Sequence, residues 1–245
     1  MALTNKIDWQ QESWNPTTGC TPISKGCKNC YALSRAKKLR ENGYKSYTDG
    51  FELKLHRERL NKPFTFKKPS RIFVDSMSDL FHEDVPLEFI QQVFDVIRQC
   101  PQHLFLIVTK RAEVLVKYSN DLNWYNNIII AVTVEHSDYK YRLDLLRKVP
   151  VKNKAVFFEP LLDEIGEVDL SGIKWAFVGG ESGMNYRPVK KEWIYQVKEQ
   201  CDKQGCTFIF KQWGGLNRFL SGNELDGKLY HNIPTVDNVL QPTLF

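Results

Sequence analysis

From residue 70 onward the chain alternates short β-branched runs with amphipathic stretches, and this beat constrains the fold more than any other feature of the sequence. Such alternation specifies strand–helix units around a parallel sheet. Residues 71–76 (RIFVDS) read as a buried strand, and 86–99 as a helix with Pro in its first turn and Phe89, Ile90, Val93, Phe94 and Ile97 on one face. The pattern continues with strands over 103–109, 127–134, 154–158, 174–178 and 207–210, and helices over about 111–120, 138–148 and 190–204, the last closed by Gly205 as a left-handed cap. With an N-terminal strand around 7–14, the expectation is an α/β partial (β/α) barrel of about six or seven parallel strands, short of a closed barrel of eight. At 245 residues, 42% hydrophobic and 26% charged, the composition excludes a disordered tail and suits a single large barrel. Residues 1–215 are expected to form that barrel, 216–245 a partly irregular extension.

Barrels of parallel strands carry their chemistry on the loops after the strands. Here those positions are polar in succession: Ser76, Ser78 and Asp79; Lys110 and Arg111; Thr133 and Glu135; Glu159; Gly179, Gly180 and Glu181; Lys211 and Gln212. Helix capping explains one or two of them, but six strand ends in a row point to a lined pocket.

No stretch approaches the roughly 18 uncharged apolar residues of a membrane span, and the start MALTNKIDWQQ lacks a signal peptide's basic and apolar regions. The expected compartment is the cytoplasm, where six cysteines are read for metal or redox chemistry before disulfides. Three of them, Cys20, Cys27 and Cys30, form a C-x6-C-x2-C array in a loop broken by Gly19, Pro22 and Gly26. Three thiols this close point to a shared centre, either zinc or iron–sulfur. A structural zinc ion wants a fourth ligand, which would have to come from distant His56, His82, Cys201 or Cys206; a [4Fe–4S] cluster held by three cysteines leaves one iron open. Cys100, Cys201 and Cys206 read as core packing.

Charge is local. Residues 1–70 hold 14 Lys/Arg against 6 Asp/Glu, so the net +5 of the chain hides a basic N-terminal part and a slightly acidic remainder. An insertion at about 42–70, after the first helix, carries Arg57, Arg59, Lys67 and Lys68 among aromatics, which suits a nucleic-acid backbone and unstacked bases or, more simply, a solvated surface loop.

The strings WNPTTGC, GC..CYA, RIFVDSMSDLFHEDVP, TKR, VTVE, EPLL, VGGESG and FKQWG together resemble an uncharacterised family common in phages and mobile elements, the three-cysteine-motif proteins allied to radical S-adenosylmethionine (SAM) enzymes. The cysteine spacing is three residues longer than the usual C-x3-C-x2-C, and Asn29 stands where an aromatic usually precedes the last cysteine. The resemblance implies a radical-SAM-type barrel in which Cys20, Cys27 and Cys30 ligate a [4Fe–4S] cluster whose open iron binds SAM; one electron then cleaves the sulfonium to a radical that abstracts substrate hydrogen. It further implies cofactor contacts from Ser76, Ser78, Asp79, Thr133, Glu135, Gly179, Gly180 and Glu181, with Lys110, Arg111, Glu159, Lys211 and Gln212 on the substrate side. An electron donor is an implied partner. With the basic insertion, the expected substrate is a nucleotide in DNA, modified or repaired. A radical-SAM enzyme acting on a peptide or small metabolite, and a non-catalytic zinc-stabilised nucleic-acid-binding protein, are the alternatives. The terminal QPTLF (241–245) resembles the short peptides with which DNA-processing proteins dock on the sliding clamp.

Overall fold

The structure is a computed structural model and describes residues 11–217 and 220–240. In chain order the elements are β1 (Glu12–Trp14), β2 (Thr17–Thr18), α1 (Tyr31–Glu41), β3 (Lys54–Leu55), β4 (Arg71–Val74), α2 (Leu87–Gln99), β5 (Leu104–Thr109), α3 (Ala112–Tyr118), β6 (Ile128–Thr133), α4 (Tyr141–Lys148), β7 (Asn153–Phe158), β8 (Trp175–Gly179), α5 (Lys191–Gln204), β9 (Thr207–Gln212), β10 (Glu224–Leu225), β11 (Lys228–Leu229) and α6 (Val236–Leu240). Seven strands pair in the order β1-β4-β5-β6-β7-β8-β9, every pair parallel, as a sheet curled into a half-barrel. This is the α/β partial barrel expected from the strand–helix beat.

The strands read as near-continuous apolar runs because both faces of a parallel sheet are covered. All six residues of β6 are buried. Alternate side chains, Phe105, Ile107, Ile130, Val132, Val156, Phe158 and Val178, point to the convex face and meet α2 through Phe89, Ile90, Val93 and Ile97 and the other helices. Leu104, Leu106, Ile129, Ala131, Ala155, Phe157, Phe177 and Ile209 make a second core on the concave face. Phe157 and Phe177 stack there at 4.5 Å. Ile233, Val236 and Val239, from α6 and the segment before it, pack against this inner core. The C-terminal extension thus returns to the sheet and closes its concave side, after a hairpin turned by Asp226-Gly227 whose φ values of 49° and 73° suit the tight Asp-Gly turn.

Boundaries differ from expectation for identifiable reasons. The first strand spans Glu12–Trp14, and residues 7–10 of the expected strand lie outside the described residues, as does 241–245. The helix expected at 138–148 opens with a single 3-10 turn, Ser137–Tyr139, before α4. Gly205 caps α5 at φ 70°, as expected. β9 runs two residues past the expected 207–210, because pairing with β8 resumes after an irregularity as Gly179↔Gln212. Lys211 and Gln212 therefore sit in the strand, not beyond it. Among the described residues no helix is long and apolar enough to cross a membrane.

One buried carboxyl fastens the start of the chain to β4. Asp75, at φ 54°, accepts hydrogen bonds from the Thr17 N–H (2.9 Å) and Thr17 Oγ1 (2.8 Å), and its own N–H donates to the Trp14 carbonyl (2.8 Å). Burial pushes this carboxyl up to about 8 against the lowering effect of the Thr17 bonds. A folded-state value so far above that of the unfolded chain favours folding in the protonated form, a contribution complete below about pH 4 and lost as pH rises toward 8. Urea unfolding should show stability falling between about pH 5 and pH 8, by at most about 1.4 kcal/mol per pH unit. Asp75→Asn keeps the acceptor for Thr17, tolerates the positive φ and cannot ionise, so it should flatten that slope. An unchanged slope in the variant would assign the dependence to another group.

Candidate functional site

The cysteine loop is launched by a small ribbon. β2 pairs antiparallel with β3, Thr17 opposite Leu55 and Thr18 opposite Lys54, so the basic insertion is stitched to the strand that leads into Cys20. His56 Nε2 meets Thr18 Oγ1 at 2.8 Å, and the Cys20 N–H donates to the Phe51 carbonyl at 3.0 Å. Gly19 makes the close approach: at φ 85°, a Cβ there would stand 1.9 Å from the Glu52 carbonyl oxygen. On its other side Gly19 bridges to Ser78, whose hydroxyl donates to the Gly19 carbonyl at 2.6 Å. The loop then makes a 3-10 turn over Lys25–Cys27 and ends at Cys30, which occupies the N-cap position of α1. All three cysteines are free and half-buried.

Three carboxylates from the ends of alternate strands grip this loop. After β4, Asp79 accepts from Thr109 Oγ1 (2.7 Å), the Lys110 N–H (3.1 Å) and Arg111 Nη1 (3.1 Å). Arg111 in turn donates to Glu83 (2.7 Å), to the Thr21 carbonyl and hydroxyl (3.0 Å each) and to Cys20 Sγ (3.4 Å). After β6, Glu135 accepts from the Ser24 hydroxyl and, at 3.4 Å, from the Gly26 N–H, while its second oxygen pairs with Arg142 at 3.0 Å. That pair is almost wholly dry, with side-chain exposures of 1% and 0%. After β8, Glu181 accepts from Asn29 (3.0 Å) and from the Arg187 guanidinium (2.5 and 2.9 Å), and Arg187 reaches on to the Lys25 carbonyl (3.0 Å). A Cβ at Gly26 would lie 2.9 Å from Glu135, so a side chain there would push that carboxylate off the loop.

The thiols sit in contrasting fields. Burial pushes Cys20 up to about 11, with Arg111 opposing and Asp79 adding. Cys27 is held below the ordinary thiol range: burial acts to raise it, but the Lys110 charge and hydrogen bonds from Ser24 and neighbouring backbone outweigh burial. Glu181 is likewise lowered, the bonds from Arg187 and Asn29 overcoming its burial. Among the described residues, no group of three or more His, Cys, Asp or Glu side chains gathers around one point as a single ion would require.

The remaining candidates fall into three places. Ser76 lies beside the loop, its hydroxyl on Asn15 Oδ1 (3.1 Å) and its carbonyl receiving the Tyr31 hydroxyl. Thr133 shares the concave face with Ile129 and Ala131. At the mouth of that face Lys211 pairs with Glu159 at 2.5 Å, its ammonium 5.5 Å from the Phe157 ring centre. Gly179 lies against the Glu159 carboxylate; Gly180 lies against the Trp213 carbonyl, 2.0 Å from where a Cβ would stand, so it brings the loops after β8 and β9 into backbone contact. Gln212 bridges the same loops through the Gly180 carbonyl (3.2 Å) and Ser182 (3.1 Å). On the insertion, Arg57, Lys67 and Lys68 are exposed, Arg57 donating to Gln92, while half-buried Arg59 is tied to Ser46. Sequence reasoning passed over Ser24, Asn29, Arg142 and Arg187. Arg142 had a readable signal, since it stands four residues before Leu146 on the apolar face of α4, a position where a cation needs a buried partner.

The residues that could complete a zinc tetrahedron have other partners, two of them on the segment that carries Cys20. His56 is bonded by Thr18 on one nitrogen and Glu58 on the other. His82 meets Thr21 Oγ1 at 2.9 Å and the Asp84 N–H at 3.2 Å. Cys201 and Cys206 are buried side by side before the start of β9, at the opposite end of the sheet from the loop.

Fold and site together define a partial α/β barrel with a clamped three-thiol loop at the carboxyl ends of its strands. Residues 4–234 match the family described as "Protein of unknown function (DUF5131)", and the chain belongs to that family. No curated protein matches it. Among solved structures the chain is similar to spore photoproduct lyase complexed with dinucleoside spore photoproduct, at 13% identity and TM-score 0.45, covering 83% of this chain and 66% of that one. A mutant of that lyase with bound AdoMet and the same dinucleoside gives 14% identity and TM-score 0.43, covering 78% and 61%. The chain thus spans 66% or less of the length of these two proteins.

Glu135→Ala would strand the Arg142 guanidinium in a dry site and release Ser24 and Gly26. The expected loss is about 3–5 kcal/mol in denaturant titration, with faster proteolysis inside the cysteine loop. Lys25→Ala, which removes only the exposed contacts of the ammonium to Asp138 and His136, should leave stability near that of the wild type. A Glu135→Ala loss under about 1 kcal/mol would contradict the clamp.

Proposed function

We propose that this chain is a radical-SAM-type enzyme in which Cys20, Cys27 and Cys30 hold a [4Fe–4S] cluster, and that it acts on a nucleotide, as in DNA modification or repair. The observation that carries the reading is the donor set. Three free, half-buried thiols share one loop, while Cys201 and Cys206 lie at the other end of the sheet and both ring nitrogens of His56 and of His82 are hydrogen-bonded, to Thr18 and Glu58 and to Thr21 and Asp84. Three thiolates with no fourth Cys or His side chain left unbonded beside them among the described residues suit a cluster with an open iron better than a closed zinc tetrahedron. The motif resemblance to the three-cysteine proteins allied to radical-SAM enzymes supports the same choice, and a reducing cytoplasm would keep the thiols free.

When bound, the cluster and SAM would supply the electron transfer and the hydrogen-abstracting radical. The chain's own task is to hold, orient and exclude water. Asp79, Glu135 and Glu181 act first through the loop, fixing where its thiols stand; on this reading Ser76, Ser78, Thr133, Gly179 and Gly180 would serve the cofactor side. Lys110 and the Glu159–Lys211 pair at the concave mouth are substrate-side groups, with Arg111 and Gln212 behind them. For the nucleotide, the supporting feature is the basic insertion, which is hydrogen-bonded through β3 to the strand that launches the loop. On this reading exposed Arg57 and half-buried Arg59 would meet the phosphate backbone while a base is extruded, and Lys67 and Lys68, which precede the start of β4 at the other end of the sheet, would extend the contact along the strand.

Anaerobic purification should yield a brown protein with about four iron and four sulfide per chain, and a Cys→Ser change at position 20, 27 or 30 should remove the colour. A colourless, zinc-loaded wild type would overturn the enzyme reading. Reversing the charge at Arg57, Arg59, Lys67 and Lys68 should weaken nucleic-acid binding and flatten its salt dependence by about one unit of slope for each phosphate left without its cation. Binding that ignores all four changes would remove the nucleotide from the proposal.

A further inference from the structure

Two consecutive cations at the end of β5 attend to two different thiols. Arg111 is 2% exposed, and its guanidinium is fixed on every edge: Nε on Glu83 (2.7 Å), Nη2 on the Thr21 carbonyl and hydroxyl (3.0 Å each), Nη1 on Asp79 (3.1 Å). So restrained, Nη1 also points an N–H at Cys20 Sγ from 3.4 Å. Lys110 is held differently. Its backbone N–H is pinned by Asp79 at 3.1 Å, the residue is half-buried, its ammonium is in no ion pair among the described residues, and its charge bears on Cys27. Asp79 therefore holds the Arg111 guanidinium and the Lys110 backbone together.

We propose that Arg111 and Lys110 raise the reduction potential of the iron–sulfur centre, Arg111 through its N–H···S bond to Cys20 and Lys110 through an unneutralised charge beside Cys27. The inference rests on the cluster reading above. Reduction adds one electron, delivered by a one-electron donor, to a centre already surrounded by three thiolates; no bond forms or breaks. The reduced centre carries one more negative charge, so a cation or N–H dipole next to a ligand sulfur stabilises it more than the oxidised form. In a half-buried site such a charge is weakly screened. The arrangement also places the two effects on separate ligands, so they should add.

Both residues act through the thiols and are positioning residues, and the readout is a potential, measured on the whole reconstituted chain by redox titration followed through the visible and electron paramagnetic resonance spectra. Lys110→Gln removes no hydrogen bond of the loop, so it isolates the charge; Arg111→Gln removes the N–H···S bond, and Arg111→Lys returns the charge without the guanidinium fork. The expected result is a more negative potential in Lys110→Gln and in Arg111→Gln, a larger shift in the double variant, and a smaller one in Arg111→Lys, with iron content in Lys110→Gln equal to that of the wild type. Lys110→Gln with full iron and an unmoved potential would overturn the proposal while leaving the cluster intact. A wild type that takes up no iron would overturn the cluster reading itself, and this inference with it.

Discussion

The site depends on carboxylates at the ends of alternate strands being spent on a loop that has little structure of its own. Between Cys20 and Cys30 the chain makes one 3-10 turn and buries little apart from Gly26, so hydrophobic packing cannot set its shape. Asp79 through Arg111, Glu135 directly, and Glu181 through Asn29 and Arg187 supply three anchor points along it. Burying Glu135 with Arg142 costs desolvation that the pair's attraction barely offsets, and a well-packed apolar pair would serve stability as well. What the ionic arrangement provides is direction: each carboxylate accepts from a defined donor in the loop or reaching it, so the loop is held in one geometry.

The same economy organises the surroundings. The sheet offers two apolar faces; the convex one is consumed by helices, and the concave one by its own second core and by Ile233, Val236 and Val239. Polar groups are left at the carboxyl ends, where the cysteine loop, the Glu159–Lys211 pair and the 51–56 part of the insertion lie. α1 extends this region outward. It buries only Ala32 and Ala36, and presents Arg35, Lys37, Lys38 and Arg40 to solvent directly after Cys30.

The strand order and the helices were legible because both faces of the parallel sheet are buried: runs such as Ile128 to Thr133 leave no choice of state, and Gly205 marks the end of α5 by its need for positive φ. That the strand-end residues gather at one end of the sheet was legible for a topological reason, since parallel strands all deliver their following loops to one end. Which donor each strand-end carboxylate meets was not. Asp79, Glu135 and Glu181 were expected to face a cofactor, and the structure ties each of them to the loop through Arg111, Ser24 and Asn29, which lie between 32 and 152 residues away in sequence. Position along a strand says where a carboxylate lies, while its partner depends on which distant donor arrives. Nothing in local periodicity carries that. β9 shows the same limit, because its last two residues are in the strand only through a pairing with Gly179 that resumes after an irregularity.

The central claim is that three thiols held by strand-end carboxylates carry a cluster with one iron open to SAM. Mössbauer spectroscopy of the chain reconstituted with iron-57, recorded with and without SAM, tests it directly. The account predicts four similar sites without SAM, and a three-to-one division with one iron moved to a site of higher coordination when SAM is added. A spectrum that does not respond to SAM would contradict it.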